Sequence, residues 1–204
     1  MNDSKEVFMK SQANRRKTET ITTAAVLTAL VFVLQMLGSF IKFGPFSISI
    51  VLIPIVIGAA TLGPKIGAWL GLVFAVTVFI SGDAAAFLAV NIPGTIVTVI
   101  VKGVLCGYFA GVAYKLVAKF NKYAAVAAAA IVCPIVNTGV FFVGCILFFL
   151  ETVAEWAAGF GLEGQTVKYM FVGLAGGNFL FEFGSNLILS PVIVRFLDII
   201  KKNK

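Results

Sequence analysis

The sequence predicts an all-α membrane protein, a bundle of about six transmembrane helices with both termini in the cytoplasm. Three observations predict it. Of 204 residues, 60% are hydrophobic and 12% are charged, whereas about a quarter of a soluble domain is charged. Mean hydropathy is +1.03. The basic residues cluster at the chain ends and between apolar runs, as positive cytoplasmic loops require. A helix needs roughly 20 apolar residues to cross a bilayer, so five or six spans use most of the chain and leave no soluble domain. The net charge of +7 thus reflects membrane orientation, not nucleic-acid binding.

Residues 1–18 are polar, with Lys5, Lys10, Arg15, Arg16 and Lys17, and form a cytoplasmic segment. The first apolar run, from about Ile21 to Ile41, is longer than a signal-peptide core and no A-x-A site follows it. It is a retained first helix. A second run, from about Ser47 to Leu62, ends at Gly63-Pro64-Lys65. A third extends from about Ile66 to Ile80, and Ser81-Gly82-Asp83 stops it. The second and third are short for a span and would cross by local thinning or snorkelling. Ala84 to Asn91 reads as an apolar loop or short helix.

Pro93 and Gly94 open a fourth helix that runs to about Val117, before a turn marked by Lys115, Lys119 and Lys122. The fifth helix, about Ala124 to Leu150, carries Pro134 as a predicted kink. A polar stretch with Glu151, Glu155, Glu163 and Lys168 follows, then a last helix from about Tyr169 to Ile200 and the lysines of residues 201–204. With the N-terminus inside, residues 1–18, Lys65, the Lys115–Lys122 turn and the C-terminal lysines fall in the cytoplasm. Lys42, Asp83 and the Glu151–Lys168 loop fall outside. The loop Phe43-Gly-Pro-Phe46 and the stretch from Ser81 to Pro93 are placed to fold over an outward-facing cavity or simply to make tight turns.

The chain has no histidine, which removes His-based triads, HExxH zinc sites and the commonest general base. Cys106, Cys133 and Cys145 lie within apolar runs and form no CxxC pair, so they read as packing residues. No GxxxxGK[ST] motif occurs. Active transport would therefore draw on ATP hydrolysed by another subunit or on an ion gradient. Nothing calls for a cofactor or a metal.

Polar groups inside spans carry the most information, because each is costly in hydrocarbon. Lys102 lies ten residues into the fourth helix, about 15 Å deep at 1.5 Å per residue. Thr95 and Thr98 share its face, and Asn137 lies at similar depth in the fifth helix. Asn178, Glu182 and Asn186 recur every four residues in the sixth, with Ser185 adjacent. Three helices thus bring polar groups to one level, which describes a polar cavity in a bundle. Lys102 would meet a ligand carboxylate and Glu182 would accept from a ligand hydroxyl or amide. The structural alternative is that Lys102 and Glu182 neutralise each other while the asparagines join helices. Asn91, beside the fourth helix, completes the candidate binding set of Asn91, Thr95, Lys102, Asn137, Asn178 and Glu182.

Ala25 and Ala29 fall on one face of the first helix, with Thr22 one turn earlier. Small residues at this spacing let another helix approach closely.

These residues together resemble the membrane-embedded substrate-binding subunits, or S components, of energy-coupling-factor (ECF) vitamin transporters. The resemblance covers nearly the whole chain after residue 18. It rests on six spans, a cytoplasmic N-terminus and Ala25-x-x-x-Ala29. It rests also on Ile53-Pro-Ile-Val-Ile-Gly-Ala-Ala-Thr-Leu-Gly-Pro-Lys-Ile-Gly67, and on Asn178-Phe-Leu-Phe-Glu182 followed by Asn186-Leu-Ile-Leu-Ser-Pro191. It implies a domain over residues 19–200 in a bacterial plasma membrane that binds a vitamin from outside. It implies partners too: a transmembrane coupling subunit, docked at Ala25 and Ala29, and two cytoplasmic ATPases. It implies no enzymatic activity. The Pro54 and Glu182 segments look most like pantothenate-type subunits. A small anionic vitamin with hydroxyl and amide groups also suits Lys102, Asn137 and Glu182, since Tyr and Trp for stacking flat rings are few. Riboflavin- or folate-type subunits are the alternatives, as is an ion-driven secondary transporter using Glu182.

Overall fold

A computed structural model describes the backbone of residues 2–40, 42–43, 46–47 and 50–202, and the side chains of residues 12, 14, 15, 17–40 and 50–195. It is an all-α membrane bundle. Among the described residues, five helices are long and apolar enough to cross a membrane: Lys17–Gly38, Pro64–Ser81, Ile92–Val117, Lys122–Phe148 and Gly176–Arg195.

The first span is part of helix α1, Asn2–Gly38. Its 37 residues reach about 56 Å at 1.5 Å per residue, well beyond a hydrocarbon core of about 30 Å. The polar segment before the span is therefore helical and continuous with it. Its Lys, Glu, Gln and Arg are good helix formers, and Arg15 pairs with Glu19 one turn on at 3.0 Å. A two-residue antiparallel ladder, Lys42–Phe43 (β1) with Phe46–Ser47 (β2), follows. Gly44, Pro45 and the side chains of residues 41–49 lie outside the described residues, and with them the predicted cover by this loop.

The second predicted span is helix α2, Leu52–Leu62, only 11 residues. It is about 16 Å long, half a bilayer. It does not need to span, because it is the hub of the bundle. It packs against α1 and against all the helices that contribute the other spans: α3 (Pro64–Ser81), α5 (Ile92–Val117), α6 (Lys122–Phe148) and α9 (Gly176–Lys202). Leu52, Ile55, Val56 and Ala59 are fully buried there. The turn into α3 passes through Gly63 at φ 97°, which a side chain rarely adopts.

Helices α3 and α5 touch backbone to backbone. Gly67 faces Gly107 and Gly71 faces Gly103, and a Cβ at any of the four would run into the opposing glycine's carbonyl. Small residues every four positions on both helices permit this approach. It sets the position of Lys102, the neighbour of Gly103.

Two further expected elements differ. The stretch after the fifth helix contains helix α7, Leu150–Gly159, which buries Val153 and Ala157 four residues apart and exposes Glu151. The last helix is not continuous from Tyr169. A short helix α8 (Thr166–Tyr169) runs into a π turn over Met170–Leu174, and α9 starts at Gly176. The ring of Tyr169 fills the space beside Gly173. With Phe87 of helix α4 (Ala85–Leu88), these elements form a second apolar cluster of Phe149, Val153, Ala157, Tyr169, Met170 and Leu174.

Chain direction sorts the charges. The C-terminal ends of α3 and α6 and the N-terminal ends of α5 and α9 meet at the end that holds Asp83, Glu151, Glu155, Glu163 and Lys168. Lys65, Lys115, Lys119, Lys122 and Arg195 gather at the opposite end.

Candidate functional site

A cavity of about 80 Å³ lies among α1, α3, α5, α6 and α9, under the second apolar cluster. Several waters would fit, at about 10–15 Å³ each. Five of the six residues expected to bind ligand line it: Thr95, Lys102, Asn137, Asn178 and Glu182. The sixth, Asn91, is not part of the lining. Its side chain caps the start of α5, accepting from the Gly94 N–H at 2.9 Å, as Asn commonly does at that position. Its carbonyl accepts from the Thr95 hydroxyl at 2.7 Å.

Glu182 is 1% exposed and is held from two helices. Asn178 Nδ2, one turn earlier on α9, donates to Oε1 at 3.0 Å, and Asn137 Nδ2 on α6 donates to Oε2 at 3.3 Å. Asn186 Nδ2 donates to the Glu182 carbonyl at 2.8 Å, one turn further along α9 and outside the lining.

Lys102 sits differently. Its Nζ lies 5.7 Å from the Phe74 ring centre and 5.3 Å from that of Phe141, within cation–π range. Among the described residues no ion pair joins it to Glu182, and the pair found is Arg15–Glu19 at the far end of α1. Mutual neutralisation by contact is therefore not the arrangement. The cation is held by aromatic faces and the carboxylate by amides, on the walls of one cavity.

Four buried polar atoms lack a partner among the described residues: Thr98 Oγ1, Asn137 Oδ1, Asn178 Oδ1 and Asn186 Oδ1. Three of the four belong to lining residues. Native interiors seldom leave such atoms unmet, so their concentration around one cavity points to a polar occupant. Thr98 is held firmly, because α6 presents Gly144 to it and a Cβ there would overlap its side chain.

Several lining residues escape sequence reasoning. Gln35 of α1, 3% exposed, donates to Asp83 Oδ2 at 2.7 Å, and both face the cavity. A lone glutamine in an apolar span was the available signal. Phe74, Phe87, Phe141 and Phe149 also line it. With 20 phenylalanines in the chain, nothing singles these out before folding. Among the described residues no group of three or more Cys, Asp or Glu converges as a metal site.

The model of the family described as "ECF transporter, substrate-specific component" matches residues 19–194. The chain belongs to this family. No curated protein matches the chain, and no solved structure does. S components are the substrate-binding subunits of membrane transporters, and they work with a membrane coupling subunit and ATPases to take up small vitamins. A cavity lined by Lys102, Asn137, Asn178 and Glu182 within a helical bundle suits that role.

On the bundle's flank, Ala25 and Ala29 are exposed and line an open apolar groove of about 780 Å³ between α1 and α3. Thr28, Phe32, Ile66 and Trp69 are among the residues of its walls. Trp69 is 49% exposed, and its indole N–H donates to the Thr28 hydroxyl at 3.2 Å.

Proposed function

We propose that this S component binds pantothenate in the cavity and delivers it inward with a separate coupling subunit and two ATPases in a bacterial plasma membrane. The observation that carries the reading is that one cavity brings together Lys102, which forms no ion pair among the described residues, and polar atoms that find no partner among them. Lys102 meets the vitamin's carboxylate, a charge-assisted contact. Thr98, Asn137 and Asn178 meet its hydroxyl and amide groups, with Glu182 on the same wall bonded to the two asparagines. Thr95 and Asn91 shape the wall at the start of α5. The segregation of basic residues to the end away from the cavity supports an outward-facing site with both termini inside. The groove at Ala25 and Ala29 is the docking face for the coupling subunit, since small residues admit a close helix–helix approach.

A riboflavin-type ligand is the second reading, and two observations favour it. Four phenylalanines line the cavity, apolar surface of the kind that packs a flat ring. Two acidic residues, Asp83 and Glu182, share the lining with one basic residue, Lys102, an acidic excess that counts against an anionic ligand.

Mass spectrometry of small molecules released from the detergent-purified chain tests the proposal. Pantothenate is the expected species. Riboflavin would move the assignment to the second reading. Release of no vitamin, together with no binding of any added vitamin, would refute both.

A further inference from the structure

The tie between Glu182 and its two asparagines fixes more than the carboxylate. Both Glu182 carboxyl oxygens accept in this structure, and an accepting oxygen must face a donor. Asn137 and Asn178 therefore both turn their amide nitrogens to Glu182, at 3.3 and 3.0 Å. Their carbonyl oxygens are then directed away from it. Both oxygens are buried without a partner among the described residues, both residues line the cavity, and Asn137 is only 5% exposed. A free asparagine has no preferred amide orientation. Here the carboxylate selects one and leaves two acceptors unmet at the cavity wall.

We infer that Glu182 is a positioning residue that holds Asn137 and Asn178 with their carbonyl oxygens toward the ligand, and that the ligand presents N–H or O–H donors to this pair. The inference rests on the vitamin-binding reading and adds a rule to it: the donors on the ligand are recognised by the asparagines, through Glu182. Glu182→Gln makes the rule visible. It replaces one accepting oxygen by a donating NH2, so one asparagine must turn over to accept from it. That asparagine then offers an amine where the ligand needs a carbonyl.

The test is an affinity cycle on the full chain in nanodiscs, with radiolabelled pantothenate and with riboflavin as probes and thermal unfolding as the check on folding. Glu182→Gln should weaken binding roughly 10- to 100-fold, the range expected for losing a hydrogen bond to a charged or buried group. In a chain already carrying Asn137→Ala and Asn178→Ala, the same change should cost less than about twofold, because residues acting through a shared partner are not additive. A full further loss in that background would show that Glu182 contacts the ligand itself and would overturn the inference. Failure of the wild-type chain to bind either probe would reject the functional reading instead. In that event side-chain amide NMR of asparagine-labelled protein decides the geometry without ligand. Two slowly exchanging NH2 groups that Glu182→Ala releases would support the positioning role, and their absence would overturn it.

Discussion

Lys102 and Glu182 line one cavity without forming an ion pair. The ammonium lies against the faces of Phe74 and Phe141, and the carboxylate is held by Asn137 and Asn178. The arrangement separates two roles that a contact pair would merge. Breaking a buried contact pair typically costs about 3–5 kcal/mol of stability, because a charge is stranded. A site whose charges are each held separately loses ligand first.

Lys102→Met should therefore leave the fold close to intact and weaken ligand binding by about 10- to 100-fold, the worth of a hydrogen bond to a charged group. Thermal unfolding and equilibrium binding on the same preparation check this. A large loss of thermal stability with unchanged affinity would assign Lys102 to the fold alone.

The Gln35–Asp83 hydrogen bond joins the first span to the turn after α3 at 2.7 Å. Gln35→Leu should cost about 1–3 kcal/mol, since it removes a buried donor to a charged group. Gln35→Glu should cost more, because two carboxylates would then face each other. Both variants should release bound ligand faster than wild type in a chase experiment. Unchanged stability and release would show that this tie contributes nothing to closing the cavity.

Gly71 and Gly103 meet backbone to backbone, and an added Cβ at either would overlap the other's carbonyl. Gly103→Val should destabilise the bundle by about 1–3 kcal/mol or more through overpacking. Gly139→Ala is the comparison, because nothing lies within 4 Å of its added methyl and Ala favours the helix. Equal melting temperatures for the two variants would contradict the close α3–α5 approach.

Ala25→Trp should fill the groove between α1 and α3. Uptake in cells should fall to background while vitamin binding by the purified chain stays within about twofold, because the groove and the cavity have no lining residue in common and distant sites are nearly independent. Lost binding would instead place Ala25 in the fold or the ligand site.

The spans were legible in the sequence because hydropathy is a local property, and the ends of α3 and α5 fell within two residues of those expected. The role of α2 was not. Nothing in Leu52–Leu62 taken alone says that 11 apolar residues will sit at the centre of five longer helices. Its missing length is explained only by its neighbours. Helix α7 was hidden by Glu151 and Glu155, although Val153 and Ala157 already gave helical spacing. The π turn before α9 was signalled by Gly173, Gly176 and Gly177, a cluster that a continuous apolar run concealed.

Within the site, Thr95, Lys102, Asn137, Asn178 and Glu182 were visible because a polar side chain in a span is costly and calls for a reason. Asn91 has the same polarity but lies at a helix start, where capping supplies the reason. Gln35 was overlooked on the first helix, whose polar residues otherwise lie toward its N-terminal end. The phenylalanine walls required the fold, because periodicity alone does not separate a phenylalanine facing a cavity from one facing lipid.

Equilibrium titration of the purified chain with pantothenate tests the central claim most directly. The account predicts saturable binding of one molecule per chain, weakened about 10- to 100-fold in Lys102→Met while the protein stays folded. Failure of wild-type protein to bind pantothenate, alongside tight binding of a vitamin with no carboxylate that is indifferent to Lys102→Met, would contradict it.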